Sequence, residues 1–213
     1  MTVKATPVAG WVILVLALVP GLSAARIPAV TASTNMGSGF GTNIQRTVDG
    51  TGLSSLSLTA THDGTIPSNS WVSSGTLTGI VTFDLGVTFL VDSFSFWNQN
   101  GGGPGQNGTT GIQGVAVSTS TDGIIFTPLP GGPTSFAQVP LLAAAPPEIF
   151  NFTPVSARFF RFTILTNYGD PAQTGFAEVG FNGSVPPVPT LSQWGLILLS
   201  LLLCGVGMLF ARE

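Results

Sequence analysis

Cysteine and charge are both scarce in this sequence, and each shortage excludes a class of protein. The single cysteine, Cys204, lies in an apolar run near the C-terminus, so the chain before it has no disulfide and no thiol chemistry. Charged residues make up only 7% of the chain, with 6 lysines and arginines in all. So few cations cannot form the basic surface that neutralises phosphates, which excludes a nucleic-acid-binding protein.

Groups suited to catalysis are equally few. The one histidine, His62, stands in a polar stretch beside Asp63, an arrangement more typical of a solvated loop than of a catalytic pair. The sequence has no Gly-x-Ser-x-Gly motif, and its acidic residues are scattered, without the facing pair that glycoside hydrolysis requires. We therefore predict a protein that is not an enzyme.

The first 25 residues have the features of a secretory signal peptide. Lys4 supplies a positive charge, residues 8–19 form a short apolar core, and residues 23–25 (Ser-Ala-Ala) offer a small-residue cleavage site. The apolar core is shorter than a bilayer-spanning helix needs, which favours cleavage over an uncleaved anchor. Residues 1–25 are thus predicted to direct export.

A second apolar run, without charge between Trp194 and Phe210, predicts a transmembrane helix and short tail over residues 193–213. The residues at its start resemble the IPTL-CTERM class of bacterial sorting signals, with valine in place of the usual isoleucine. The motif positions are Val188, Pro189, Thr190, Leu191, Trp194 and Gly195. A lone Arg212 replaces the several basic residues that usually end this class, which weakens a permanent anchor.

Resemblance to this class implies processing by an exosortase-type enzyme in the envelope, or at the outer surface, of a Gram-negative bacterium. A membrane anchor that is never cut is the alternative. Residues 184–192 are rich in proline and are predicted to form an extended linker that ends in the sorting motif.

Residues 26–183 are the size of one domain, and their pattern predicts an all-β fold. Apolar and polar residues alternate in several segments, as they do in half-buried antiparallel strands. The clearest segments are 79–85, 91–97, 112–118, 158–165 and 175–181. Short strands separated by turns rich in glycine, asparagine and proline favour an antiparallel jelly-roll β-sandwich with phenylalanines in its core.

Six pieces of this domain follow the order found in the discoidin, or coagulation-factor C-type, family of galactose-binding-like jelly rolls. They are Val48–Gly50 followed by Ser70-Trp71, Val81–Gly86, Val91–Asn98, Ser118–Gly123, Ala157–Ile164 and Phe176–Phe181. The domain resembles this family over almost its whole length. It departs from the family in the longer stretch between Asp49 and Trp71, and in lacking the terminal cysteine pair of many animal members.

This resemblance implies a binding module with a structural Ca²⁺, whose side-chain ligands would be Asp49 and Glu178. The two residues suit the role, because Ca²⁺ prefers carboxylate and carbonyl oxygens and the turn at residues 49–53 could add carbonyls. In the alternative, Asp49 caps a turn and Glu178 is a surface residue of a strand.

The predicted ligand is a carbohydrate, bound by loops at one end of the jelly roll. Sugar sites combine an aromatic face with hydrogen-bonding amides and imidazoles. This combination selects as candidate contacts His62, Trp71, Asn98, Asn100 and Tyr168, although Trp71 also suits the core. The alternative is a structural matrix or envelope protein without a sugar ligand, which the Gly-rich loop 101–110 favours because it has no aromatic residue.

Overall fold

The computed structural model describes residues 25–101, 107–186 and 191–210. Eight strands form a β-sandwich in the first two ranges, and the third range is a helix. The elements are β1 (Ala25–Arg26), β2 (Thr31–Thr34), β3 (Trp71–Val72), β4 (Gly79–Asn98), β5 (Val115–Ser120), β6 (Thr127–Pro128), β7 (Glu148–Ile164), β8 (Gly175–Ser184) and α1 (Leu191–Phe210). All of the predicted signal peptide except Ala25 lies outside the described residues.

The long strands β4 and β7 bend, and each contributes to both layers of the sandwich. Their antiparallel pairing is interrupted between Asp84 and Phe89, where Gly86 has a left-handed φ of 83°. Before this corner, β4 pairs with β2 and β7. In the same layer β7 pairs with β5, and β5 pairs with β6. After it, β4 pairs with β7 and β8, and β8 also pairs with β1 and β3. The predicted all-β, antiparallel class is confirmed.

Alternation in the sequence located β4, β5, β7 and β8 but not all of their limits, and it did not predict β1, β2, β3 or β6. The predicted strands 79–85 and 91–97 are the two halves of the single bent strand β4. The segment predicted at 112–118 becomes a regular strand only from Val115, because Ile112 and Gly114 each form an isolated bridge to a different loop.

Phenylalanine rings fill the core between the two layers. Phe83 of β4 and Phe181 of β8 lie on opposite layers, and their ring centroids are 5.5 Å apart. Phe136, in the connection between β6 and β7, stacks on Phe96 with the centroids 3.8 Å apart. All four side chains are buried, and burial of each contributes about 1.5–3 kcal/mol to stability.

Residues 48–62 cover the outer face of the layer that contains β8. The hydroxyl of Ser95 donates a hydrogen bond to the carbonyl of Leu58 at 2.6 Å, and the indole N–H of Trp97 donates to the carbonyl of Ala60 at 2.9 Å. Ser95 and Trp97 are therefore buried although they point away from the core. The long stretch between Asp49 and Trp71 thus includes a cover over this face.

The chain enters and leaves the sandwich at adjacent positions, since Ala25 of β1 pairs with Gly183 of β8. Further along, α1 occupies most of the region predicted as a transmembrane segment, 193–213. Across the residues that the structure describes, no helix meets the length and apolarity required to cross a membrane. The predicted transmembrane span is therefore not confirmed.

Candidate functional site

A pocket of about 560 Å³ opens at the end of the sandwich where β4 ends and β8 begins. Residues directly after β4, including Gln99 and Gly101, line its floor, and loops at 40–42, 65–70 and 170–173 complete it. Its volume lies in the range of pockets that hold small ligands. Loops at one end of the jelly roll therefore enclose a cavity, and its lining does not include the five predicted contacts.

Phe40 stands at the rim of this pocket with 76% of its surface exposed. Its φ of 52° lies in the left-handed region, which is strained for a bulky residue and persists only where the surrounding structure enforces it. Gly39 helps to fix the backbone at Phe40, because its N–H donates a hydrogen bond to the carbonyl of Val72 at 2.9 Å. A Cβ at position 39 would lie only 2.6 Å from the carbonyl oxygen of Ser73, so the close approach requires glycine.

The pocket has apolar walls and few polar groups. Ile66 and Leu142 line it, and both are exposed. The amide nitrogen of Gln99 donates to the hydroxyl of Ser70 at 3.4 Å, and that hydroxyl donates to the carbonyl of Ile66 at 2.8 Å. This arrangement leaves the amide oxygen of Gln99 buried without a hydrogen-bond partner.

Among the residues that the structure describes, Asp170 is the one charged residue that lines the pocket. Its carboxylate accepts hydrogen bonds from the backbone N–H groups of Ala172 and Gln173, both at 2.9 Å. These bonds hold the 170–173 loop in place beside the cavity. The described part of the lining therefore contains no cation that could pair with an acidic ligand.

Asn98 and Asn100, two of the predicted contacts, lie buried at the end of β4. The amide of Asn98 donates to the carbonyls of Ile112 and Ala137, at 2.8 and 2.9 Å, and accepts from the N–H of Ile112 at 2.9 Å. The amide oxygen of Asn100 accepts from the N–H of Thr65 at 2.9 Å. Both side chains use their hydrogen-bonding groups to hold loops around the pocket.

His62 is also buried, with Nδ1 2.7 Å from the carbonyl oxygen of Asp63 and Nε2 3.1 Å from that of Thr51. The structure does bring His62 together with Asn98 and Asn100. They share a crevice of about 10 Å³, which is too small for a sugar ring.

Trp71 and Tyr168 both have their polar atoms bound to backbone. Trp71 is fully buried, packs edge to face on Phe176 at 5.7 Å, and donates its indole N–H to the carbonyl of Gly37 at 2.8 Å. The Tyr168 hydroxyl donates to the carbonyl of Phe136 at 2.6 Å, and burial raises the pKa of Tyr168. The five predicted contacts thus serve as framework here, and their direct contact with a sugar stays a prediction.

No residue that lines this pocket was predicted from the sequence as a ligand contact, and those with the largest part in the site are Phe40, Ile66, Gln99 and Leu142. One of them carried a visible signal, because Phe40 stands between two glycines outside any alternating segment. An aromatic residue between two glycines, outside any predicted strand, is a candidate for an exposed position on a loop. Nothing in the sequence near Ile66 or Leu142 distinguishes them from core residues.

Asp49, predicted as a Ca²⁺ ligand, has both carboxylate oxygens engaged. One accepts from the N–H of Thr51 at 2.9 Å, which makes Asp49 the cap of its own turn. The other accepts from the guanidinium of Arg46 at 3.1 Å. The turn-capping alternative describes this residue correctly.

Glu178, the second predicted ligand, is fully buried rather than at the surface of its strand. Its Oε1 accepts from Nη2 of Arg26 at 2.5 Å and from the N–H of Gly50 at 3.1 Å. Burial raises the pKa of Glu178 to about 8, an effect that Arg26 and the Gly50 N–H partly offset and the Asp49 carboxylate increases.

These residues do not fit a Ca²⁺ ion. The cation needs six to eight oxygen ligands, but the oxygen of Glu178 that lies beside the 49–53 turn faces two hydrogen-bond donors. Within the described ranges, no three acidic, histidine or cysteine residues are grouped, so ligands beyond Asp49 and Glu178 would have to be backbone, hydroxyl or amide oxygens.

Comparison with protein families concerns the end of the chain. Residues 186–213 match the IPTL-CTERM motif. Of the motif positions, 188–190 lie outside the described residues, whereas Leu191, Trp194 and Gly195 belong to α1. The IPTL-CTERM tail indicates an exported protein that is sorted to the cell surface.

Comparison with solved structures concerns the sandwich, which resembles CBM32 carbohydrate-binding modules. CpGH89CBM32-5 from Clostridium perfringens, in complex with GalNAc-β-1,3-galactose, aligns with a TM-score of 0.53 and 16% identity over 74% of this chain and 99% of the module. CBM32-1 from a family 31 glycoside hydrolase of Clostridium perfringens aligns with a TM-score of 0.50 and 13% identity, over 73% of this chain and 95% of that one. The discoidin-like jelly-roll fold is confirmed.

Chains of glycoside hydrolases align as well, each over a small part of its length. A family 89 glycoside hydrolase from Clostridium perfringens has a TM-score of 0.49 and 18% identity over 76% of this chain. The chain spans 16% of that enzyme's length. No curated protein matches the sequence.

Proposed function

We propose that this protein is a surface-sorted, non-catalytic module that binds an uncharged carbohydrate in the pocket beside Phe40. One observation carries the proposal: an aromatic ring is held exposed, in a strained backbone conformation, at the rim of a preformed pocket. Binding sites of this size use aromatic and apolar walls for affinity and a few polar groups for orientation. Phe40 would supply the apolar face and Gln99 a polar contact.

The charge of the pocket supports an uncharged ligand. Asp170 is the charged residue of the lining, and a carboxylate repels the acid groups of uronic or sulfated sugars. The sugar complex of the structurally similar Clostridium perfringens module supports carbohydrate as the ligand class.

The IPTL-CTERM tail supports the delivery part of the proposal. An exosortase-type enzyme would process the tail and leave the module in the envelope, or on the outer surface, of a Gram-negative bacterium. Mass spectrometry of the protein in an envelope fraction would test this step, and a C-terminus still ending at Glu213 would contradict it.

Replacement of Phe40 tests the binding site. F40A is expected to lose binding to neutral polysaccharides on a glycan array without a loss of melting temperature, because the ring is exposed and its strained conformation is relieved. I124A is the matched control, since Ile124 is 82% exposed and lies in the turn between β5 and β6, away from the pocket. If the wild-type chain binds no polysaccharide, the structural matrix or envelope alternative is favoured.

A further inference from the structure

Arg26 and Glu178 form a buried ion pair where the family resemblance places a metal. We infer that the guanidinium of Arg26 is the internal cation of this domain, and that the domain folds and keeps its stability without Ca²⁺. This assigns to the first strand of the sandwich the role that a bound ion would otherwise have.

Because the side chains of Arg26 and Glu178 are both largely removed from water, each requires a partner of opposite charge. The side chain of Glu178 is 0% exposed and that of Arg26 is 15% exposed. A carboxylate removed from water is costly unless a cation or several hydrogen bonds stabilise it. The nearest cation is within hydrogen-bonding distance, at 2.5 Å, and the N–H of Gly50 adds a second donor.

The other arginines of the sandwich have partners of their own. Arg158 makes two hydrogen bonds to the carboxylate of Asp84, at 2.8 and 2.9 Å. Arg161 lies over the ring of Phe126, 3.5 Å from its centroid. Arg26 is therefore the cation committed to Glu178.

The guanidinium and a Ca²⁺ ion would compete for the same carboxylate oxygen. Ca²⁺ sits about 2.3–2.6 Å from its oxygen ligands, which is the distance at which Nη2 of Arg26 already lies from Oε1. The other oxygen of Glu178 is buried without a hydrogen-bond partner, and Asp49 has both of its oxygens engaged. At Oε1 a metal would have to displace the guanidinium, and the unpartnered Oε2 would supply it with a single carboxylate ligand.

The residues around Arg26 leave space for its guanidinium and fix its backbone. A Cβ at Gly180 would lie 3.2 Å from Nη1 of Arg26 and 2.6 Å from Cδ2 of Leu58, so glycine at this position leaves the space that the side chain fills. The backbone is fixed on both sides, because Arg26 pairs with Asn182 in the β1–β8 ladder and the N–H of Ile27 donates to the carbonyl of Phe181.

Thermal melts of the full chain with a calcium chelator and with excess CaCl₂ test the inference. The wild-type melting temperature should be the same in both. Above pH 8, where the carboxyl of Glu178 is ionised, R26M should lower it by on the order of ten degrees, because the substitution leaves a buried carboxylate without its cation. The double variant R26M/E178Q should recover part of that loss.

R46M is the matched control, since Arg46 makes an ion pair with Asp49 at the surface, and its melting temperature should change little. If R26M does not fold, calorimetric titration of CaCl₂ into the wild-type chain decides, with no stoichiometric binding expected. Stoichiometric Ca²⁺ binding, a chelator-sensitive melt, or an R26M variant as stable as the wild type would each overturn the inference.

Discussion

Glu178 gives the domain a pH dependence that can be assigned to one residue. Its ordinary pKa of 4.5 applies to the unfolded chain, and burial raises the pKa to about 8 in the folded domain. The folded state therefore binds the proton more tightly than the unfolded state. This contribution to stability is fully present below pH 4.5 and is lost as the pH rises through 8. The charged groups that face the carboxyl are Arg26 and Asp49.

We expect the melting temperature of the wild type to fall between pH 4.5 and 8, and E178Q to show a smaller fall. D84N is the control, because the Arg158 hydrogen bond lowers the pKa of Asp84 below 3.8 and places its effect at more acidic pH. Melting curves over this pH series measure the difference. An equal slope in wild type and E178Q would assign the dependence to another group.

For single residues, the ion pair of Glu178 shows a contact that could not be predicted from the sequence. The family resemblance implied that Glu178 binds Ca²⁺, but the cation that it contacts is Arg26, 152 positions away in β1. No local pattern connects the two. The same limit applies to the pocket, whose rim residue Phe40 could have been selected from its flanking glycines, whereas Ile66 and Leu142 depend on how distant loops meet.

Among the elements, β4 depends on Asn98 to join its end to two neighbouring segments. N98A would leave the buried carbonyl and N–H of Ile112, and the partly buried carbonyl of Ala137, without their partner. Each lost bond of this kind costs about 1–3 kcal/mol, so we expect the free energy of unfolding to fall by about 3 kcal/mol or more. Urea denaturation without any ligand measures it.

N151A is the control for this experiment, because Asn151 is an exposed residue of β7 and its loss should change stability by about 0.5 kcal/mol or less. The comparison also tests the predicted sugar contact. If N98A keeps wild-type stability and loses only glycan binding, Asn98 is a ligand contact and not part of the framework.

Alternation was sufficient to predict the central strands, because one face of each packs on phenylalanine while the other meets water or a cover, but it missed the short strands and the first half of β7. It could not show that 79–85 and 91–97 are one strand. The strand bends at Gly86 so that its two halves lie in different layers, and alternation within either half does not reveal this. The sequence pattern also allows Phe126 to face the core. The structure has this ring half-buried beneath Arg161, because β6 is a two-residue strand at the edge.

At the scale of the whole molecule, the pocket and the exit of the chain lie at opposite ends of one layer. Ser184 pairs with Leu90, whereas the pocket begins just after Asn98. At about 3.3 Å per residue, the eight steps between these two β4 positions separate the two ends by about 26 Å. A module held by its IPTL-CTERM tail would therefore present its pocket away from the point of attachment.

Oriented capture tests this arrangement. In a C204S background, V185C and I66C can each be biotinylated and immobilised, and binding of a neutral polysaccharide from solution can be measured by surface plasmon resonance. We expect V185C to retain binding and I66C to lose it, because Ile66 lines the pocket. Equal binding by the two would place the ligand elsewhere.

The pairing of β1 with β8 has a consequence for how this domain can be recombined. Because Ala25 and Gly183 are partners in one ladder, the domain begins and ends at nearly the same point in space. Domains with adjacent ends tolerate insertion into a loop of a host protein, and circular permutation, better than domains with distant ends. A short peptide joining residue 184 to residue 25, with new ends opened in the exposed turn at Ile124 and Ile125, would give a permuted chain with both termini far from the pocket.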